Sequence, residues 1–327
     1  METKKRLEFV DIAKGIGIMI VCFGHSGAED VVISWIGGFI VPLFFVLSGY
    51  MYRDKGIPIG RDLLVKARKL LKPYLFFSAL LLVIYKCFEW NDFVGVFYSR
   101  YCLFPRDAAE NIFFMRATNS PMWFLTAMFA AYPLFYLIIR NEKYTAWILL
   151  AYLGITWGMT RLPILLPWSI DIAFMMAVFM YIGVLFRKAD GLLKKPSYVY
   201  SLVLVAFVVL CKVNGEPNPS VRELGRTFLL YIVTGVLGTV FMMWMCKHLE
   251  GKPLSRLLAD IGRHTLVIFC LQIFIFHLLN RVIYGVMHLP AEGFWLYAAA
   301  VFKVVVASIV CMYISKAMMR YMPWLFK

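Results

Sequence analysis

Long apolar stretches separated by short charged intervals make up most of this chain. Ten of them, at about 9–26, 31–52, 73–88, 121–139, 144–159, 168–186, 198–213, 227–246, 265–280 and 293–314, reach or approach the roughly 20 residues that carry a helix across a bilayer. Several are only about 16 residues long, the short limit for a span. Backbone polar groups inside lipid must be satisfied within the segment, so apolar runs of this length predict helices. The pattern predicts an all-α, polytopic helical membrane bundle of about ten transmembrane helices, with 1–327 forming one membrane domain.

Composition removes the alternatives. Of 327 residues, 62% are apolar and only 16% charged, which no soluble globule of this size could bury and no disordered chain would carry. The net charge of +15 fits either nucleic-acid binding or basic loops on the cytoplasmic side of a membrane. The apolar content selects the second, so membrane lipids, not nucleic acid, are the expected surroundings. With the N-terminus inside, 23 of the 34 Lys and Arg fall in cytoplasmic segments and 9 in outer ones. That asymmetry predicts cytoplasmic N- and C-termini. The basic start at Met1 to Arg6 resembles a secretion signal. Asp11 and Lys14 interrupt the stretch that follows, and no small-residue cleavage site comes after it, so an uncleaved first helix is expected. The seven cysteines are odd in number and contain no CxxC pair, which predicts small buried hydrophobes and no metal site.

The first span carries the candidate chemistry. On a helical wheel Asp11, Lys14, Ile18, Cys22 and His25 share an arc of about 80°. Lys14 and His25 lie roughly 16 Å apart along the axis, about half the hydrocarbon thickness. Ionisable groups at such depth face the protein interior or a watery cavity. Asp11 and Lys14 could form a plain i, i+3 pair, with His25 marking the outer boundary. In a functional reading, Lys14 holds a phosphate as a point charge and His25 acts as a general base on a hydroxyl.

Four blocks of sequence resemble one known family. The run Arg6-Leu7-Glu8-Phe9-Val10-Asp11-Ile12-Ala13-Lys14-Gly15, ending in Gly24-His25-Ser26, is similar to the opening of the acyltransferase family 3 membrane proteins, where a basic residue is followed ten residues later by His. Pro42-Leu43-Phe44-Phe45-Val46-Leu47-Ser48-Gly49-Tyr50 resembles the FF-x-LSGY segment of their second helix. Arg68-Lys69-Leu70-Leu71-Lys72-Pro73-Tyr74 is similar to the entry of their third, and Met122-Trp123-Phe124-Leu125 to their WFL block. The nearest flavour is the sugar O-acetyltransferase branch, including fucose 4-O-acetyltransferase-like members. Two positions depart from the pattern. Lys66-x-x-Lys69 stands where an Arg-x-x-Arg pair is common, and Gln272 stands where a His is frequent.

The resemblance implies a multi-pass protein of the bacterial cytoplasmic membrane. It implies transfer of an acyl group from acetyl-CoA, the donor co-substrate, to a hydroxyl of a glycan or lipid-linked sugar. Lys14, with Asp11 beside it, and the basic loop 53–72 (Arg53, Lys66, Arg68 and Lys69 among its seven cations) would meet the CoA phosphates. Ser48 and Tyr50 would either line the donor channel or pack helices closely. Trp123 would be an interfacial belt residue or a wall of the acceptor site. Asp171, costly as an isolated charge near the outer end of the sixth span, is a candidate catalytic partner that orients His25. Lys303, deep in the tenth span, is an awkward snorkeller, and His277 and Gln272 could bridge helices. A secondary transporter and a non-catalytic partner in polysaccharide assembly are the competing readings. Inverted repeats or Gly/Pro-broken helices in matching halves would favour the first, and neither is evident in the sequence.

Overall fold

A computed structural model describes residues 7–28, 32–54, 56–105, 110–114, 121–189 and 191–326. Met1 to Arg6, Lys55 of the basic segment, and Arg106, Asp107 and Arg116 lie outside them. The described chain is all helical apart from loops and isolated bridges. Its helices are α1 (Glu8–Phe23), α2 (Ile33–Tyr50), α3 (Ile59–Tyr85), α4 (Trp90–Tyr98), α5 (Trp123–Arg140), α6 (Thr145–Met159), α7 (Ile170–Lys188), α8 (Ser197–Asn214), α9 (Phe228–Leu249), α10 (Pro253–Arg263), α11 (Thr265–Asn280) and α12 (Gly293–Tyr321). The protein is a polytopic helical membrane protein.

Each of the ten apolar runs coincides with a helix. Seven of these are long and apolar enough to cross a membrane: α2, α5, α7, α8, α9, α11 with its π-helical extension, and α12. At 16 and 15 residues, α1 and α6 are shorter, and α3 holds five basic residues in its first half, Arg61 to Lys72, which leaves only Pro73 to Tyr85 free of charge. Two further helices lie in intervals expected to be loops. α4 opens with a capping box, the Glu89 N–H donating to Asp92 Oδ2 at 3.0 Å. α10 is amphipathic, burying Ser255, Leu258, Ala259, Ile261 and Gly262 on one face.

The basic loop 53–72 is corrected by the structure: it is mostly the first turns of α3, which begins at Ile59. Lys and Arg are good helix formers, so the charge that breaks an apolar pattern does not break a helix.

Contacts group the chain into two compact units. One comprises 1–44, 190–213 and 233–318, and the other 45–189, 214–232 and 319–327. In the first, α1 packs along α10 and against α11. In the second, α5 and α7 form the centre, flanked by α3 and α6. The boundary falls inside α2, between Phe44 and Phe45.

Candidate functional site

In the first unit, the two ends of α1 are fixed by different means. Its amino end meets α10 backbone to backbone. A β-carbon on Gly15 would lie 2.0 Å from the Leu258 carbonyl oxygen, and one on Gly262 1.8 Å from that of Asp11. Only glycine permits this approach. The Phe9 N–H donates to Glu250 Oε1 and the Ser255 hydroxyl to Glu8 Oε1, each at 2.9 Å. Asp11 is buried in this contact, and Arg263 of α10 brings its Nε within 3.6 Å of the Asp11 carboxylate. Asp11, for which the sequence offered Lys14 as an i, i+3 partner, thus meets a cation from a remote helix. Lys14, half-buried, follows one turn later.

The carboxyl end of α1 closes in a tight turn. The His25 N–H donates to Cys22 O at 3.1 Å, the Ser26 hydroxyl to Phe23 O at 2.7 Å, and Gly27 takes φ +85°. His25 stands in this turn, reachable by solvent yet crowded by surrounding protein. Beneath it Lys303 of α12, only 2% exposed, donates its ammonium to the Ser26 carbonyl and, at 3.1 Å, to Asn280 Oδ1. The Phe276 and Tyr284 rings flank it at 5.7 and 5.8 Å. A cation here complements the partial negative charge of a helix carboxyl end. The oddity of Lys303 was visible in the sequence, but its target, 277 positions away, was not.

Gln272 is fully buried on α11, with its Nε2 on the Phe269 carbonyl at 3.5 Å. His277 is exposed on the same helix. Three histidines, His248, His264 and His288, escaped the sequence reading, and one of them is buried. His264, between α10 and α11, is buried, shares a 2.8 Å hydrogen bond with Ser315 Oγ, and lies 3.7 Å from Asp260. Its neighbour Arg263 is the group that meets Asp11, so His264 helps anchor that end. No group of three or more His, Cys, Asp or Glu among the described residues could hold a metal ion.

In the second unit, the Leu47-Ser48-Gly49-Tyr50 segment is a packing device. A β-carbon on Gly49 would fall 1.7 Å from Met180 O, and one on Gly183 2.0 Å from Val46 O, so α2 and α7 also touch through backbone. Ser48 Oγ contacts Met128 Sδ at 3.8 Å. Arg187 donates to the carbonyls of Tyr50 and Tyr52 at 3.3 and 3.0 Å. Arg53 is exposed just beyond. Along α3, Arg61, Arg68 and Lys72 align within about 40° of one another on the wheel. Lys69 stands beside them, and Arg61, Arg68 and Lys69 are exposed. Lys72 donates to Trp324 O at 2.6 Å, and Lys66 turns away to sit 4.2 Å over the Tyr132 ring. Trp123 is buried at the start of α5, so it is no lipid-facing belt residue.

Asp171, at the start of α7, is fully buried and met from two sides. Arg100 Nη2 donates to Oδ1, Arg222 Nη1 approaches Oδ2 at 3.2 Å, and the Leu166 N–H reaches Oδ2 at 3.3 Å. The guanidiniums continue outward. Arg100 donates to Leu166 O at 3.1 Å and to Ser220 O, and Arg222 to Ile164 O at 2.8 Å and to Leu162 O. Burial lowers the pKa of both arginines, and the Asp171 charge offsets only part of that shift. Arginine stays protonated under such pressure. One carboxylate therefore ties together 98–104, 162–166 and 218–222.

A family model described as "Acyltransferase domain", that of acyltransferase family 3, matches residues 7–315, nearly the whole chain. No curated protein and no solved structure shows significant similarity to it. The motif blocks at Lys14, His25, Ser48 to Tyr50 and Trp123 all lie inside that match, on a polytopic helical frame, and the chain belongs to the membrane acyltransferase family 3.

Proposed function

We propose that the protein moves an acetyl group from cytoplasmic acetyl-CoA to a hydroxyl of a glycan or lipid-linked sugar. The observation that carries this reading is α1 itself. It holds a cation near one end and an accessible imidazole just past the other, and both ends are clamped, by the Gly15–Gly262 crossing and by Lys303. Donor phosphates would be met by Lys14 and by the exposed cations Arg53, Arg61, Arg68 and Lys69; such contacts are charge-assisted. With N-in topology, His25 faces the outer side of the membrane, where an acceptor hydroxyl would arrive.

The neutral imidazole accepts the hydroxyl proton as the sugar oxygen attacks the thioester carbonyl. The tetrahedral intermediate collapses, the carbon–sulfur bond breaks, and the CoA thiolate recovers the proton from the imidazolium. The products are an O-acetyl ester and CoA. Transfer through an acetyl-His intermediate obeys the same balance. General-base help of this kind is worth about 10²–10⁴-fold in rate. Asp171 takes a different role in this scheme, because both its carboxylate oxygens are already engaged.

Incubation of the purified protein with radiolabelled acetyl-CoA and a panel of glycans tests the reading. His25→Ala is expected to retain expression and CoA binding and to lose turnover by about 10²-fold or more. A His25→Ala protein that acetylates at the wild-type rate refutes the assignment.

A further inference from the structure

Within the second unit, a cavity of about 830 Å³ opens between the end of α6, the segment after α8 and the start of α9. Its volume is in the range of small-molecule sites. The alternation of spans puts all three of these chain segments on the outer side of the membrane. Arg161, Arg226 and Arg222 line it, against Glu110 and Glu223. Arg161 and Arg226 are exposed, whereas Arg222 is the guanidinium that reaches Asp171. Behind that wall two buried arginines share a single aspartate, so the cavity floor carries one uncompensated positive charge within the Arg100–Asp171–Arg222 group.

The wall is built before any ligand arrives. Asn214, buried, gathers the segment 224–227 around itself. Its Nδ2 donates to Leu224 O at 3.0 Å, its Oδ1 accepts from the Thr227 N–H at 3.1 Å, and its carbonyl accepts from the Arg226 N–H at 2.7 Å. Gly225 lies between them at φ +80°, and a β-carbon there would strike the Asn214 carbonyl oxygen at 2.4 Å. On the facing side Arg161 lies 4.9 Å over the Trp157 ring, which stiffens its guanidinium.

From these features we propose that the cavity binds an anionic carbohydrate. Arg161 and Arg226 would grip its acid group, Glu110 and Glu223 would accept its hydroxyls, and the Trp157 side would meet an apolar ring face. Guanidiniums suit carboxylate and phosphate because their planar fork donates twice. A fixed wall lowers the ordering cost of binding. The acid group has two possible sources, a sugar carboxylate or the phosphate that joins a sugar to a lipid carrier. Naming this ligand as the acceptor rests on the acyl-transfer reading above; the binding itself does not.

The test uses the full-length protein in nanodiscs, titrated calorimetrically with three probes. These are a uronic-acid tetrasaccharide, a neutral tetrasaccharide, and a neutral sugar linked through phosphate to a short prenyl chain. An anionic probe is expected to bind at least about tenfold tighter than the neutral one, more weakly as salt rises. Whichever anionic probe binds identifies the source of the acid. Arg161→Ala and Arg226→Ala are each expected to weaken it about tenfold, with acetyl-CoA affinity unchanged. Equal binding of all three probes, or anionic binding untouched in the double variant, overturns the proposal. Charge-dependent binding without acetylation of the bound glycan supports the cavity while counting against the transfer reading. Acetylation with an unchanged acceptor KM in the double variant does the reverse.

Discussion

Asp11 and Asp171 are both carboxylates taken out of water in a mostly apolar chain, and both are met by arginine, but the two regions handle the charge differently. Asp11 lies where α1 and α10 touch, and its partner Arg263 is 42% exposed at 3.6 Å, so water screens the pair. Packing of glycine against backbone does most of the joining there. Asp171 is inaccessible, and both arginines that reach it are almost equally buried. Around it, hydrogen bonding joins three loop segments that also bury Cys102, Leu165 and Val221 against one another. A tight helix crossing can tolerate a solvent-screened ion pair, whereas an ion group sealed among buried loops, beside the small apolar cluster of Cys102, Leu165 and Val221, needs a complete one.

The largest effect belongs to the second region. Asp171→Asn leaves two buried guanidiniums without a counter-charge and is expected to cost about 3–5 kcal/mol, read as a large fall in thermal midpoint in detergent. Gly262→Ala comes next. Its β-carbon would lie 1.8 Å from the Asp11 carbonyl, so the helices must separate. A loss of about 1–3 kcal/mol is expected, together with a raised KM for acetyl-CoA as Lys14 shifts with its helix. The smallest is Asp11→Asn, about 0–1 kcal/mol and fading with salt, because its partner is solvent-screened. Should Asp11→Asn prove as damaging as Asp171→Asn in the same unfolding assay, the contrast between the two regions is lost.

How much of this could be read from the chain follows the range of each interaction. The ten apolar runs mark helices because burial in lipid and helical hydrogen bonding are local demands. The stripe through Asp11, Lys14 and His25 is a matter of spacing alone, and the close packing at Gly49 is foreshadowed by its small neighbours. Three features stayed hidden for local reasons, the first being α4, a helix of only 9 residues. The first turns of α3 read as a loop because charge masked good helix propensity. α10 is only 11 residues and half polar. The rest was hidden by distance along the chain. Asp171 finds its arginines 71 and 51 positions away, and a buried acid gives no sign in sequence of which cation will meet it. Asp171 was therefore offered as a partner for His25, with nothing in the sequence to show Arg100 and Arg222 meeting it.

The glycine crossing at Gly15 and Gly262 also has a mechanical meaning. Where two helices meet through side chains, rotamer changes let them slide. Here the surfaces are peptide groups, and interiors packed so densely transmit displacement with little give. α1 and α10 therefore act as one strut, and any rearrangement at this end of the protein must be taken up at the strut's joints. Gly251, at φ +76° two residues before α10, and the turn at Gly27, φ +85°, that follows His25 are such joints, where the chain has the backbone freedom to turn.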